Sequence, residues 1–294
     1  MITIPITRRR VLAQGGWLAA GTALAGLPAA AATAPKSRVV LVRDAKVVGS
    51  DGRVNAAVVA DMLDAAVARL LDEDTPLAAW KRLISPTDVV GVKSNEWRHL
   101  PTPPALEAAI ARRLAEAGVK PERIAIADRA VLRNPVFAAA TALINVRPLR
   151  THNWSGLGTL IKNYVMFVPD PWSYHANACE PLGSIWHLPL VKGKTRLNVL
   201  VMLTPQFHST GPHHFSREYT WTYGGLLVSR DPVAADAVGA AIIQAQRRRH
   251  FGENRPIAPP PHHIQFADTA YGLGVSSLDR IELVRLGWAD DALI

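Results

Sequence analysis

The alternation of strand-like and helix-like segments after residue 36 constrains the fold of this chain more than any other feature. A short β-branched run, SRVVLVRD at 37–44, precedes NAAVVADMLDAAVARLLDE at 55–73, where apolar residues recur at helical spacing. A strand at 88–95, a helix at 102–118 and a strand at 123–128 continue the series. Repeated strand–helix–strand units favour a mainly parallel sheet flanked by helices, so the sequence predicts an α/β fold.

The second half of the chain resumes this pattern after an irregular middle segment. From Arg150 to Gly193 the periodicity is lost, and the stretch is rich in His, Trp and Asn. Further elements are then predicted as strands at 196–204, 225–229 and 277–287 and a helix at 231–249. No interdomain linker is recognisable, so residues 35–294 are expected to form a single α/β domain.

The first 34 residues have the composition of an export signal. Arginines at 8–10 precede a weakly hydrophobic segment rich in Gly and Ala, which ends in an Ala-rich stretch. TRRRVL at 7–12 resembles the twin-arginine export pattern. We therefore expect export to the periplasm by the twin-arginine machinery, cleavage after Ala32 in preference to Ala34, and no stable membrane span afterwards.

Charge and cysteine content exclude some classes of function. The chain has a formal net charge of +9 and one cysteine, Cys179. A single cysteine excludes an iron–sulfur cluster held by several thiolates of this chain. The positive balance favours anionic ligands in general, and the scattered basic residues do not indicate a nucleic-acid surface.

Polar side chains follow several predicted strands at their carboxyl ends, where parallel α/β sheets bind ligands. Lys93 and Asn95 lie at the end of the strand at 88–95 and, being two apart, can point to the same face. His208 and His213 follow a later strand, and Asp231 follows the next one. A lysine in such a place can bind a carboxylate or phosphate, or act as a nucleophile or proton carrier when it is desolvated.

The irregular middle segment adds a second group of polar residues. The Gly-rich turn SGLGTL at 155–160 is either an ordinary turn before a helix or a cradle of backbone N–H groups for an anion. His175 lies among aromatic residues in WSYHANA. We predict one polar pocket, with catalytic residues Lys93, Lys162 and His175 and substrate-binding residues Asn95, Asn163, His152, His208, His213 and Asp231.

Two carboxylates near the start of the helix at 231–249 do not form an acid–base pair. Asp231 precedes Pro232 and is expected to cap the helix. Asp236 follows five residues later, so the two side chains diverge by about 140° around the helix axis. Asp236 is instead expected to anchor a basic side chain.

The stretch QFHSTGPHHF, residues 206–215, raises the question of a metal site. Zinc needs three or four ligands in a fixed geometry. His208 and His213 straddle a Gly-Pro pair and can converge, with His175 as a third ligand. A hydrogen-bonding rim of the pocket is the favoured interpretation, and a single metal ion or a solvated turn remain alternatives.

Several of these stretches, taken in order, resemble the domain of unknown function 362 family. They are GVKSNEW, LEAAIARRLAEAGVKPERIAIAD, LGTLIKNYVMFVP, SYHA, TGPHH, LLVSRDPVAADAVGA and YGLGVSSLDRIELV, which together cover about residues 38–287. Ser94 stands where the family usually has proline, and the acidic residue often found before the Gly-Pro turn is lacking. The resemblance implies a fold and a pocket but no reaction.

Together these features predict an exported periplasmic enzyme that acts on a small anionic ligand in a Lys/Asn/His pocket. The alternative is a non-catalytic periplasmic ligand-binding or accessory protein that uses the same pocket. The sequence specifies neither the substrate nor the reaction.

Overall fold

The computed structural model describes residues 36–209 and 215–294. These residues form an eight-stranded sheet flanked by helices, which confirms the predicted α/β class. The strands are β1 (Ser37–Arg43), β2 (Val90–Lys93), β3 (Ile124–Ala127), β4 (Ala142–His152), β5 (Gly156–Gly158), β6 (Thr195–Gln206), β7 (Gly225–Ser229) and β8 (Ile281–Gly287). The helices are α1 (Ala56–Leu71), α2 (Pro76–Leu83), α3 (Pro104–Glu116), α4 (Pro135–Ala138), α5 (Leu160–Asn163), α6 (Pro232–Phe251) and α7 (His262–Thr269). The predicted signal peptide at 1–34 and His213 lie outside the described residues.

The sheet has the strand order β3-β2-β4-β6-β7-β1-β8, with β5 paired to β4. Strands β3, β2, β4 and β6 are mutually parallel, and β8 is parallel to β1. Strand β7 is antiparallel to both of its neighbours, β6 and β1. Its carboxyl end therefore lies at the edge of the sheet where β6 and β1 begin, opposite the edge where the parallel strands end.

Two apolar layers hold the helices against the sheet. One face of the sheet packs against α1, α2 and α3, with Trp80 and Leu106 fully buried there. The other face packs against α5, α6, α7 and the irregular middle segment, which buries Tyr164 and Trp186. Nowhere in 36–209 or 215–294 is there a helix long and apolar enough to cross a membrane.

Local signals explain most helix boundaries. The Asn55 side chain accepts hydrogen bonds from the first turn of α1, and Asp231 does the same for α6, as predicted. The helix expected to start at residue 102 begins later, because α3 starts after Pro103 without a side-chain cap. Thr102 Oγ1 instead accepts a hydrogen bond from the Asn95 backbone N–H at 3.1 Å, which fixes the loop after β2.

Strand β4, helix α2 and helix α7 are among the elements that were not expected from the sequence. Strand β4 is the longest buried one, and its neighbours are β2 and β6. Helix α2 follows α1 and is capped by Thr75. Helix α7 begins at His262, inside the stretch 256–263 whose prolines suggest a rigid linker.

Candidate functional site

A buried lysine lies beneath the polar edge of the sheet. Lys93, the last residue of β2, is fully buried, and its Nζ donates to Asp128 Oδ1 at 2.5 Å, to the Ser94 carbonyl at 2.7 Å and to Asn163 Oδ1 at 3.2 Å. These three acceptors use all the donors of an ammonium group. Burial lowers the pKa of Lys93 to about 8, and the Asp128 carboxylate opposes this effect. Lys93 is thus held by hydrogen bonds below the surface and does not line the cavity described below.

Three asparagines connect β2, β4, α5 and β6 below the cavity. Asn163 Nδ2 donates to Asn145 Oδ1 at 2.8 Å, to the Lys93 carbonyl at 3.1 Å and to the Val146 carbonyl at 3.1 Å. Asn145 Nδ2 in turn donates to Asn198 Oδ1 at 3.1 Å. A network in which each amide has partners holds a single geometry, so the predicted residues Lys93 and Asn163 form a rigid support.

A cavity of about 230 Å³ opens above this support, and a second space of about 530 Å³ adjoins it. Both are lined by Trp97, Arg129, Arg150, His152 and Trp154. The inner cavity is also lined by Asn95, Asn163, Lys162 and His175, so five predicted site residues, counting His152, meet there. Their meeting agrees with the expectation that polar residues converge at this edge of the sheet.

Two arginines of β4 supply two of the four cationic side chains that line the inner cavity. Arg147 and Arg150 are 5% and 6% exposed, and both line the inner cavity. The register of β4 against β6 is irregular between Pro148 and Arg150. Gly158 in the paired strand β5 leaves room for both groups, since an ideal Cβ there would lie 3.0 Å from Arg147 Nη2 and 3.5 Å from Arg150 Cζ.

Neither guanidinium group has a full set of acceptors. Arg147 donates one long hydrogen bond, 3.4 Å, to Asn163 Oδ1, and Arg150 donates one of 3.3 Å to the Thr151 carbonyl. Among the described residues, the Nε atoms of both arginines are buried without a hydrogen-bond partner. Burial lowers the pKa of Arg147 to about 10 and lowers that of Arg150 as well. Each group has five N–H donors, so the pair can bind an anionic group in bidentate fashion.

Lys162 and His175 form a hydrogen-bonded pair on the cavity wall. Lys162 Nζ lies 2.9 Å from His175 Nε2, and His175 Nδ1 lies 2.8 Å from the Pro171 carbonyl. A carbonyl only accepts, so Nδ1 carries the proton and the neutral ring offers the Nε2 lone pair to Lys162. Burial, with help from Arg147 and Arg150, lowers the pKa of Lys162 to about 8. Burial and the nearby lysine also lower the pKa of His175.

His152 completes the polar wall at the end of β4. Its Nδ1 accepts a hydrogen bond from the Trp154 N–H at 3.2 Å, and its ring centroid lies 6.2 Å from that of His175. Burial, reinforced by Lys162 and the two arginines, lowers the pKa of His152 well below its usual value. Both histidines are therefore neutral at pH 7.

The Gly-rich turn does not form an anion cradle. It folds back as a hairpin in which β5 pairs with the end of β4. The N–H groups of Leu160 and Ile161 donate to the carboxylate of Asp236 at 2.9 Å each, and Thr159 Oγ1 donates to it at 2.6 Å. Asp236 was expected to anchor a basic side chain, but it fixes the start of α5 and so positions Lys162.

Asp231 lies away from the cavity. It caps α6 and accepts hydrogen bonds from Ser37 Oγ at 2.6 Å and the Val275 N–H at 3.0 Å. The expectation that Asp231 joins the polar edge is wrong because β7 runs antiparallel to its neighbours. The residue that follows β7 is therefore at the opposite edge of the sheet.

The described part of the histidine-rich stretch also faces away from the inner cavity. His208 Nδ1 lies 3.1 Å from Arg247 Nη1, and its ring packs edge-on against Tyr219 at 4.7 Å. His208 does not line either space of the site. In the ranges that the structure describes, no three His, Cys, Asp or Glu side chains are grouped as a metal ion would require. The alternative metal site of His208, His213 and His175 includes His213, which lies outside the described residues.

One protein family is similar to part of this chain. The family model described as "Domain of unknown function (DUF362)" matches residues 129–241. Residues 129–241 are therefore similar to this family. The match covers β4, the hairpin, Lys162, His175 and the first half of α6. Lys93 and the last strand, which contribute to the resemblance drawn from the sequence, lie outside it. No curated protein and no solved structure matches the chain.

Arg147, Arg150 and Asn145, which lie inside the DUF362 match, were not predicted as site residues. Arginines are usually exposed, so a sequence gives no reason to place two of them in a buried strand. The available signal was the position of the two arginines between the run ALINV, which contains Asn145, and the histidine that ends β4.

Proposed function

We propose that this protein is an enzyme that binds a small anion in the cavity beside β4 and acts on it with Lys162 and His175. The observation that carries the proposal is the pair of buried guanidinium groups, Arg147 and Arg150, whose Nε atoms lack acceptors among the described residues and which line the same cavity as the lysine–histidine pair. Burying a charge whose donors are incompletely paired is unfavourable, and Asp128 and Asp236 compensate the charge of Arg147 only in part. An anionic ligand offsets that cost.

The chemistry of the pair follows from its hydrogen bonds. His175 presents an acceptor to Lys162 and so orients its amine, and because the pKa of His175 is itself lowered, the proton that Lys162 loses goes to solvent. The amine that results is a nucleophile or a general base next to the bound anion. A pKa of about 8 leaves part of Lys162 in this form near neutral pH. In this proposal Lys93 and Asn163 position the site, and Asn95 and His152 contact the substrate.

A non-catalytic binding protein would use Lys162 only as a fixed cation. The rate at which Lys162 reacts with cyanate therefore distinguishes the enzyme from the binding protein. Cyanate is a small anion whose carbon is attacked by a neutral amine to give a urea. We expect Lys162 to be carbamoylated faster at pH 8 than the exposed Lys120, and sulfate to protect it. Peptide mapping by mass spectrometry after limited reaction measures both rates.

Two variants sharpen this experiment. Arg147→Met should slow carbamoylation of Lys162, whereas Arg53→Met, a change at an exposed arginine, should not alter it. A Lys162 that reacts no faster than Lys120, or that sulfate does not protect, contradicts the enzymatic function and favours the binding protein.

We also propose that the protein works in the periplasm after twin-arginine export. The support is the sequence at 7–12 and the weakly hydrophobic segment that follows it. The twin-arginine machinery would act on the protein before the enzyme reaches its substrate, so it does not alter the chemistry proposed for the cavity.

A further inference from the structure

Three tryptophans line the cavity together with the cationic groups. Trp97, Trp154 and Trp172 all contribute to its wall. Trp172 is 67% exposed, and the other two are half-buried. Tryptophans that serve only a core are largely buried, so rings of this size at an opening indicate surface kept for a ligand.

The rings around Trp154 are arranged edge to face. The Trp154 ring centroid lies 5.1 Å from that of Trp172 at an interplanar angle of 68°, and 5.1 Å from that of His175 at 77°. In an edge-to-face pair the edge of one ring meets part of one face of the other, and the remaining faces are not used by the pair. A flat group can therefore lie against them. Trp97 is used differently, because the Arg150 guanidinium lies over its ring at 4.1 Å.

Charge decides which kind of ligand this wall accepts. Aromatic cages also bind quaternary ammonium groups by cation–π attraction. Here the inner cavity is lined by Arg129, Arg147, Arg150 and Lys162, against the single carboxylate of Asp128. Both oxygens of that carboxylate already accept hydrogen bonds, from Lys93 Nζ and from the Glu96 N–H. Four cationic groups at close range repel an ammonium ligand and attract an anion.

We infer that the ligand is a small aromatic or heteroaromatic anion, with its charged group on Arg147 and Arg150 and its ring against Trp154 and Trp172. This inference rests on the proposed function and names the substrate class of the same site. The inner cavity of about 230 Å³ has the volume of seven or eight waters at about 30 Å³ each, which suits one ring with one anionic group. A larger substituent would extend into the adjoining space.

Two phosphate monoesters of matched charge test the inference. Isothermal titration calorimetry of the purified protein with phenyl phosphate and with methyl phosphate isolates the contribution of the ring. We expect phenyl phosphate to bind about 10-fold more tightly, the size of effect that stacking of one ring on an aromatic side chain produces. Trp172→Ala should remove most of this preference and leave the affinity for methyl phosphate unchanged. Because Trp172 is exposed, this variant should fold. Benzoate against acetate repeats the comparison for carboxylates.

The outcomes separate the inference from the function on which it rests. If the two members of each pair bind equally, the aromatic class is wrong and the anion site stands. If no member of either pair binds, the anion site itself is wrong. A ring preference that survives both Trp172→Ala and Trp154→Ala, or tighter binding of tetramethylammonium than of either phosphate ester, also overturns the inference.

Discussion

The buried side chains of Arg147 and Arg150 are the central feature of this protein. A guanidinium group inside a protein normally has a carboxylate or several carbonyls around it, because an uncompensated buried charge is strongly unfavourable. Each of these two has one long hydrogen bond and a buried Nε atom without a partner among the described residues. Their position beside Lys162 concentrates positive charge at one point of the surface. Unfavourable arrangements of this kind persist where function needs them.

The titration of Lys162 gives the pH dependence of anion binding. Its pKa is lowered to about 8, so the ammonium form predominates below pH 8 and the neutral amine above it. We expect sulfate affinity to fall as the pH rises through about 8, by about 10-fold or more, because a hydrogen bond to a charged group contributes about 1.5–3 kcal/mol. Calorimetric titration between pH 6 and pH 10 measures the change.

Lys162→Met is the matched variant for this pH series. It should bind sulfate weakly at every pH and lose the inflection near pH 8. His152 and His175, whose pKa values are lowered by burial, should add affinity only below pH 6.5. An inflection that persists in Lys162→Met would assign the titration to another group.

Strand β4 is the element on which the site is built, and the sequence did not reveal it. Its segment ALINVRPLRTH contains Asn, two Arg and a Pro, which interrupt the apolar pattern by which strands are recognised. The neighbouring strands β2 and β6 were predicted because their apolar runs are continuous. Similarly, the sequence placed Lys162 and Asn163 after a turn but did not show that the turn pairs back on β4. Such pairing depends on contacts between distant residues.

Helix α5 is held in place by Asp236, so the loss of that carboxylate should be costly. Its two oxygens accept three hydrogen bonds in a fully buried position. In Asp236→Asn an amide NH₂ faces N–H or O–H donors, and an unsatisfied buried group costs about 1–3 kcal/mol. We expect the free energy of unfolding, from urea denaturation, to fall by this amount.

A change at an exposed aspartate of another helix is the control for Asp236→Asn. Asp61→Asn in α1 should leave the free energy of unfolding within about 0.5 kcal/mol of the unchanged protein. Equal stability of Asp236→Asn and Asp61→Asn would show that the carboxylate does not anchor α5.

At the scale of the whole molecule, the sheet brings the site together at one edge. The rhythm of strands and helices was sufficient to predict the α/β class, the mainly parallel sheet and the position of Asn95 at the end of a strand. Lys162 and His175 were predicted as pocket residues from the irregular middle segment, where that rhythm is lost. The order of strands and helices was not sufficient to predict the direction of β7. A short apolar run has the same sequence pattern in a parallel and in an antiparallel strand pair. That reversal takes Asp231 to the other edge.

The proposed twin-arginine export also concerns the whole molecule, because it determines the compartment in which the folded protein works. Replacing Arg8 and Arg9 with Lys should trap the precursor in the cytoplasm, because twin-arginine export depends on the arginine pair at the start of the signal. Cell fractionation followed by immunoblotting measures the distribution. Arg53→Lys, outside the signal, should be exported normally, and undiminished periplasmic protein in the double variant would contradict twin-arginine export.

The most direct test of the account is to locate an anion in the cavity beside β4. Crystals of the protein grown with selenate allow the anion to be placed by the anomalous scattering of selenium. The account predicts a selenate within hydrogen-bond distance, about 2.7–3.2 Å, of both the Arg147 and Arg150 guanidinium groups, and the loss of this site in Arg147→Met. Selenate bound only elsewhere on the protein, with none at these two arginines, would contradict it.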